Sequence, residues 1–157
     1  MPGLRIDIAD LLARAGSRRA VTVTETLDDL GAGAATIPGP VTVRAQLDRV
    51  SEGVVVRADV EATWRAECSY CLAEIGETLV LHADELYEPT PIDGETYPIE
   101  GHEIDLELLV RDTVLLELPL APHCAEPCRV EVDPATETPA ESPTDPRWAA
   151  LSSLEIR

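Results

Sequence analysis

The chain contains no lysine and no phenylalanine, and only three Tyr and two Trp supply its aromatic rings. All twelve of its basic residues are arginine, against 30 acids, for a net charge of −18 over 157 residues. Nucleic-acid affinity comes mainly from Lys and Arg neutralising phosphates, so this balance argues against a general phosphate-binding surface. The scarcity of rings likewise leaves an aromatic platform for stacked bases poorly supplied. Long apolar runs are missing too. Leu106 to Leu120 is the longest candidate, and Glu107, Arg111, Asp112 and Glu117 interrupt it, so nothing approaches the roughly 20 residues of a membrane span. No basic-then-apolar signal pattern opens the sequence. These absences predict a cytoplasmic protein that keeps its thiols reduced.

Several catalytic signatures are absent as well. There is no phosphate loop, no GxGxxG, no nucleophile-elbow pattern, and no spacing of carboxylates that implies an acid/base pair. Of the three histidines, His82 reads as a surface or edge residue, His102 as local to a helix start, and His123 as an alternative metal ligand beside Cys124. The expectation is a protein that is not an enzyme.

What is present is unevenly placed. Residues 1–57 hold seven Arg and seven acids, whereas residues 58–157 hold five Arg and 23 acids. The whole −18 therefore lies in the last 100 residues. A charge excess of this kind serves either as a solvated, solubilising surface or as a face for a cationic partner.

Apolar patterning predicts an α+β fold: an antiparallel β-meander with one packed helix and a C-terminal docking segment. Residues 4–15 show a short helical period (Leu4, Ile8, Leu11, Leu12, Ala15), and 18–26 alternate as a strand. Residues 27–40 read as a loop. Val41, Val43, Ala45 and Leu47 alternate with polar residues, and Ser51-Glu52-Gly53 is a turn. Val54, Val56, Ala58, Val60, Ala62 and Trp64 then share one face, and a third β-like run covers 75–87. Tight turns join antiparallel neighbours, hence the meander. Residues 89–101 read as a turn-rich acidic connection. Asp105 can cap a helix over 106–117 that Pro119 closes. The organisation expected is one domain over 1–128, an acidic Pro-rich linker over 129–146, and a docking segment over 147–157 in which Trp148, Leu151 and Leu154 recur at helical spacing.

The four cysteines fall in two pairs, Cys68-Ser-Tyr-Cys71 and Cys124-Ala-Glu-Pro-Cys128. Two short-spaced thiol pairs suit a closed tetrahedral zinc site, with Cys68, Cys71, Cys124 and Cys128 as ligands. Such a site would be structural, because four thiolates leave no open position for water. Reduced, inert thiols and a redox pair or disulfide are the competing readings. Among the arginines, Arg14, Arg18, Arg19, Arg44 and Arg57 are candidates for RNA contact.

The segments Trp64-Arg65-Ala66-Glu67-Cys68-Ser69-Tyr70-Cys71-Leu72, Ile104-Asp105-Leu106, Leu116-Glu117-Leu118-Pro119-Leu120-Ala121-Pro122-His123-Cys124 and Asp145-Pro146-Arg147-Trp148-Ala149-Ala150-Leu151 occur in this order. The layout resembles the YceD family, the large ribosomal RNA subunit accumulation proteins, with its C-x-x-C-L, L-x-L-P-x-x-P-x-C and D-P-R-aromatic-x-x-L stretches. The sequence departs after Cys128: many members continue with G-L-C-x-x-C-G and an Asn-rich end, whereas here Arg129-Val130-Glu131-Val132-Asp133 follows. That departure bears on the metal site rather than on the fold. The resemblance implies a bacterial ribosome biogenesis factor without catalysis, needed for accumulation of large-subunit ribosomal RNA. It also implies a basic large-subunit ribosomal protein or a pre-ribosomal particle as partner, with direct rRNA contact through the arginines above as the rival arrangement. A zinc-stapled interaction module unrelated to ribosomes is the alternative. Asp145, Pro146, Arg147 and Trp148 then either contact the partner or pack internally.

Overall fold

A computed structural model describes residues 3–126, together with 128 and 147. The expected linker and docking segment otherwise lie outside the described residues. Among these residues strands dominate, arranged as a curled, mixed sheet with two α-helices. In chain order the elements are β1 (Arg5–Asp7), α1 (Ala9–Leu12), β2 (Arg18–Glu25), β3 (Gly31–Ala32), β4 (Ala35–Thr36), β5 (Val41–Arg49), β6 (Val54–Glu67), β7 (Glu74–Glu88), β8 (Tyr97–Glu100), β9 (Glu103–Asp105) and α2 (Glu107–Glu117).

The centre of the sheet follows directly from alternation. On β5, Val41, Val43, Ala45 and Leu47 are buried. On β6, Val54, Val56, Ala58, Val60, Ala62, Trp64 and Ala66 are buried. A period of two puts these side chains on one face, and water-facing residues occupy the other. The strands β2, β5, β6 and β7 pair antiparallel in that order, with β6 and β7 in register from Val54↔Tyr87 to Glu67↔Glu74. Gly53 closes the β5–β6 turn because only a bare Cα fits there: a Cβ would lie 1.9 Å from the Tyr87 carbonyl oxygen.

The sheet is larger than a three-stranded meander and is not purely antiparallel. Within the acidic connection, β8 runs parallel to β7 (Tyr87↔Tyr97), and β9 and β1 extend the sheet beyond it. The stacked rings of Tyr87 and Tyr97, 5.1 Å apart, fix that junction. The loop at 27–40 also contains structure, a small hairpin of β3 and β4 that pairs with β6 at Thr36↔Arg65.

The helix expected over 4–15 is a correction. Leu4, Ile6 and Ile8 are buried while Arg5 and Asp7 are exposed, a strand period that wins because β9 offers an edge. Leu106 N–H donates to the Leu4 carbonyl at 2.9 Å and Ile8 N–H to the His102 carbonyl at 2.7 Å. Only α1 remains helical. The second helix forms as expected. The Asp105 carboxylate accepts the Glu107 N–H at 2.8 Å, satisfying a free donor of the first turn. At the other end Leu118 is extended, as a residue before proline prefers. Leu106, Leu109, Val110, Val114 and Leu118 insert into the core, whereas Leu108, Leu115 and Leu116 stay exposed.

Asp48 is a polar tie across the sheet. Its carboxylate accepts hydrogen bonds from Arg18 and from Arg57 (2.6 Å), and from Gln46 (3.2 Å). The Arg18 hydrogen bond, the largest influence, holds its pKa below the ordinary aspartate value. A lowered carboxylate contributes stability above its unfolded pKa and loses it as pH falls through the folded one. Asp48→Asn is therefore expected to cost about 1–2 kcal/mol at pH 7. The difference from wild type should shrink towards zero below pH ~4. Urea unfolding at several pH values checks this.

Candidate metal centre and acidic cleft

The β6–β7 hairpin ends in a knuckle at residues 68–73. Its geometry is set by two backbone bonds, Cys68 N–H to the Ala73 carbonyl (2.8 Å) and Leu72 N–H to the Cys68 carbonyl (3.0 Å). Leu72 adopts a left-handed conformation, φ 60°, to close it. A left-handed backbone at a non-glycine residue costs roughly 1–2 kcal/mol, so the knuckle is held by its surroundings. Ser69 supplies part of that hold. Its N–H and its hydroxyl both donate to the Pro122 carbonyl at 2.8 Å, drawing the chain after α2 against the hairpin tip.

All four sulfurs meet there. The Cys68 and Cys128 Sγ atoms are 3.4 Å apart and those of Cys71 and Cys124 are 3.6 Å apart; every pair lies within 4.8 Å. These separations exceed an S–S bond of about 2.05 Å, and all four cysteines are free. A tetrahedron of thiolates about 2.3 Å from a central zinc has edges of about 3.8 Å. The cluster thus has the donor set and the size of a four-thiolate metal site.

Its electrostatics suit a cation. Backbone N–H groups, first that of Cys71 and then that of Tyr70, lower the Cys68 thiol to about 5. Cys124 is pushed up to about 12, chiefly by its contact with Cys128, and Cys128 is raised, chiefly by Cys68. A pocket that stabilises one thiolate and resists more is completed by a positive ion, which displaces the remaining protons. His123 stands outside the cluster: it is exposed, and its Nδ1 lies 3.3 Å from the Ala121 carbonyl oxygen.

The arginines proposed for RNA contact are drawn into other work. Arg18 pairs with Asp48, Arg44 with Glu61 at 3.1 Å, and Arg57 with both Asp48 and Asp84. Arg19 reaches Asp10 at 2.8 Å and the Asp7 carbonyl. Arg14 lies exposed after α1. Of the motif Asp145, Pro146, Arg147 and Trp148, only Arg147 is among the described residues, and it is exposed.

A second feature has no signature in the sequence. A cleft of about 380 Å³ lies between α2 and the connection over 91–98. Glu85, Asp93, Glu95 and Asp112 contribute its charge, all negative, and Pro91, Pro98, Tyr97 and Leu108 its apolar walls. Among the described residues none of these four carboxylates is in an ion pair; Asp112 accepts the Tyr97 hydroxyl at 2.9 Å. Burial and then that hydrogen bond raise the Tyr97 phenol, which stays a neutral donor.

The family of the large ribosomal RNA subunit accumulation protein YceD matches residues 56–155. That span takes in the hairpin, the knuckle, the cleft and α2. The chain belongs to the YceD family. Uncharacterised proteins of Mycobacterium tuberculosis and Mycobacterium bovis are each 32% identical to it over 123 residues, which is 69% of this chain and 59% of theirs. One from Mycobacterium leprae is 29% identical over 132 residues, 73% of this chain and 59% of the relative. The chain thus spans about 59% of the length of these relatives. No solved structure matches it. Among the described residues no helix is long and apolar enough to cross a membrane.

Proposed function

We propose that this protein is a non-enzymatic factor for large-subunit ribosomal RNA accumulation that holds a basic large-subunit ribosomal protein, or a pre-ribosomal particle presenting one, through its acidic cleft. Membership of the YceD family sets the ribosomal context. The observation that carries the rest is the contrast between the cleft and the arginines. Four acidic residues with no ion pair among the described residues line a half-apolar groove, while Arg18, Arg19, Arg44 and Arg57 are paired with acids of their own sheet and helix. Opposite charge speeds encounter and suppresses wrong partners, and the apolar walls accommodate the aliphatic stems of Lys and Arg. In this reading the four cysteines hold a structural zinc ion that fixes the hairpin tip to the end of α2, and the closed shell leaves no position for catalysis.

The experiment is loss of the gene in its host. The ratio of large- to small-subunit ribosomal RNA is expected to fall and to recover on complementation. An unchanged ratio in the deletion strain overturns the proposal.

A further inference from the structure

Large apolar side chains are exposed around the cysteine cluster and on the chain that leads to it. Leu116 is 84% exposed, Leu120 81%, Tyr70 73% and Leu72 70%. Three features join them into one surface. Tyr70 and Leu72 flank Cys71, whose sulfur is 3.6 Å from that of Cys124, four residues after Leu120. The β3–β4 turn fills the space between: Gly33 approaches the Leu120 carbonyl, where a Cβ would lie at 3.4 Å, and Ala34 shares a concavity with Leu72. Isolated exposed leucines are ordinary, but Tyr70, Leu72 and Leu120 gathered about the cysteine cluster, with Leu116 four residues before Leu120 in the chain, mark an interaction surface.

We infer that this surface receives residues 147–157 of the same chain. Trp148, Leu151 and Leu154 recur every third residue, and burying each would contribute roughly 1.5–3 kcal/mol. The connection starts in the right place. Cys128 belongs to the cysteine cluster at the edge of the surface, and nineteen residues separate it from Trp148. A coil of that length reaches on the order of 25 Å. Such a tether gives an effective concentration of about millimolar, which favours the chain's own segment over a second copy. Charge points the same way. Residues 147–157 hold two arginines and one acid, whereas residues 1–128 hold nine arginines and 24 acids. The segment is the one cationic stretch of the C-terminal part, and the domain it would dock on is strongly anionic.

The test is fluorine NMR of the full chain labelled with 5-fluorotryptophan, which gives two resonances, for Trp64 and Trp148. Trp148→Phe assigns them. In wild type the Trp148 resonance is expected to be displaced from that of free fluorotryptophan. Leu116→Asp with Leu120→Asp should return it to the free position while Trp64, 8% exposed in the core, stays unmoved. Ile92→Asp, at an exposed apolar position on the acidic connection, should leave both in place. If the double variant also moves Trp64, Leu120→Ser alone is judged by the same criterion. A Trp148 resonance at the free position in wild type overturns the inference. So does one that ignores the leucine variants, or one whose displacement disappears on dilution, which would show docking between copies.

Discussion

Cys68→Ser is expected to lower the melting temperature by roughly 10–20 °C and to abolish metal binding. Purified wild-type protein should carry close to one zinc per chain by elemental analysis. The reason for the size is topological. The metal would join Cys71 to Cys124 across 52 intervening residues, and a cross-link closing a loop of that length removes about 4 kcal/mol of unfolded-state entropy. For a domain of this size each kcal/mol shifts the midpoint by about 3–5 °C. The core under the sheet does not depend on the cluster, so the variant should still fold. Chelation should lower the wild-type midpoint to that of Cys68→Ser and leave the variant unchanged. His123→Ala should bind metal normally, because His123 lies outside the sulfur cluster. Metal-free protein with the full wild-type midpoint would remove the site.

The second large effect concerns the cleft. Replacing Glu85 and Glu95 with Gln and Asp93 and Asp112 with Asn keeps every side chain's shape and removes four negative charges. At about 0.5 kcal/mol for each partly exposed charge contact, partner affinity should fall by roughly 2 kcal/mol, about 30-fold. Folding should not suffer. None of the four is ion-paired among the described residues, the asparagine at 112 can still accept the Tyr97 hydroxyl, and mutual repulsion is relieved. Stability equal to or slightly above wild type, with weakened capture, separates recognition from folding.

What could be read from the sequence follows from how local each signal is. The faces of β5 and β6 were legible because alternation over nine and fourteen residues reports burial directly. The helix α2 was legible from Asp105 and Pro119, which mark its ends by backbone chemistry. The cysteine pairs announced a shared site, and the structure brings their sulfurs together. Short edge pieces were not legible. Residues 4–8 carry apolar residues that fit two periods, and the choice depends on β9, a hundred residues away. The parallel pairing of β8 with β7 depends on the stacking of Tyr87 on Tyr97, which no spacing encodes. The acidic cleft was invisible for the same reason: Glu85 comes from β7, Asp93 and Glu95 from the connection, and Asp112 from α2. The ion pairs of the arginines were not legible either. Arg44 and Arg57 look available in sequence, and strand register sets each beside a carboxylate. Among the 30 acids, some thus pair with arginines on the sheet, and four line a groove with no ion pair among the described residues.

The measurement that tests this most directly is capture from host lysate by the full chain and by its four-substitution cleft variant, each at low and high salt, with bound proteins identified by mass spectrometry. The account expects wild type to enrich a basic large-subunit ribosomal protein or large-subunit particles at low salt. Most of that yield should be lost at high salt, and most of it should also be lost in the variant. Absence of any large-subunit component, or a yield indifferent to both salt and the four substitutions, would contradict it.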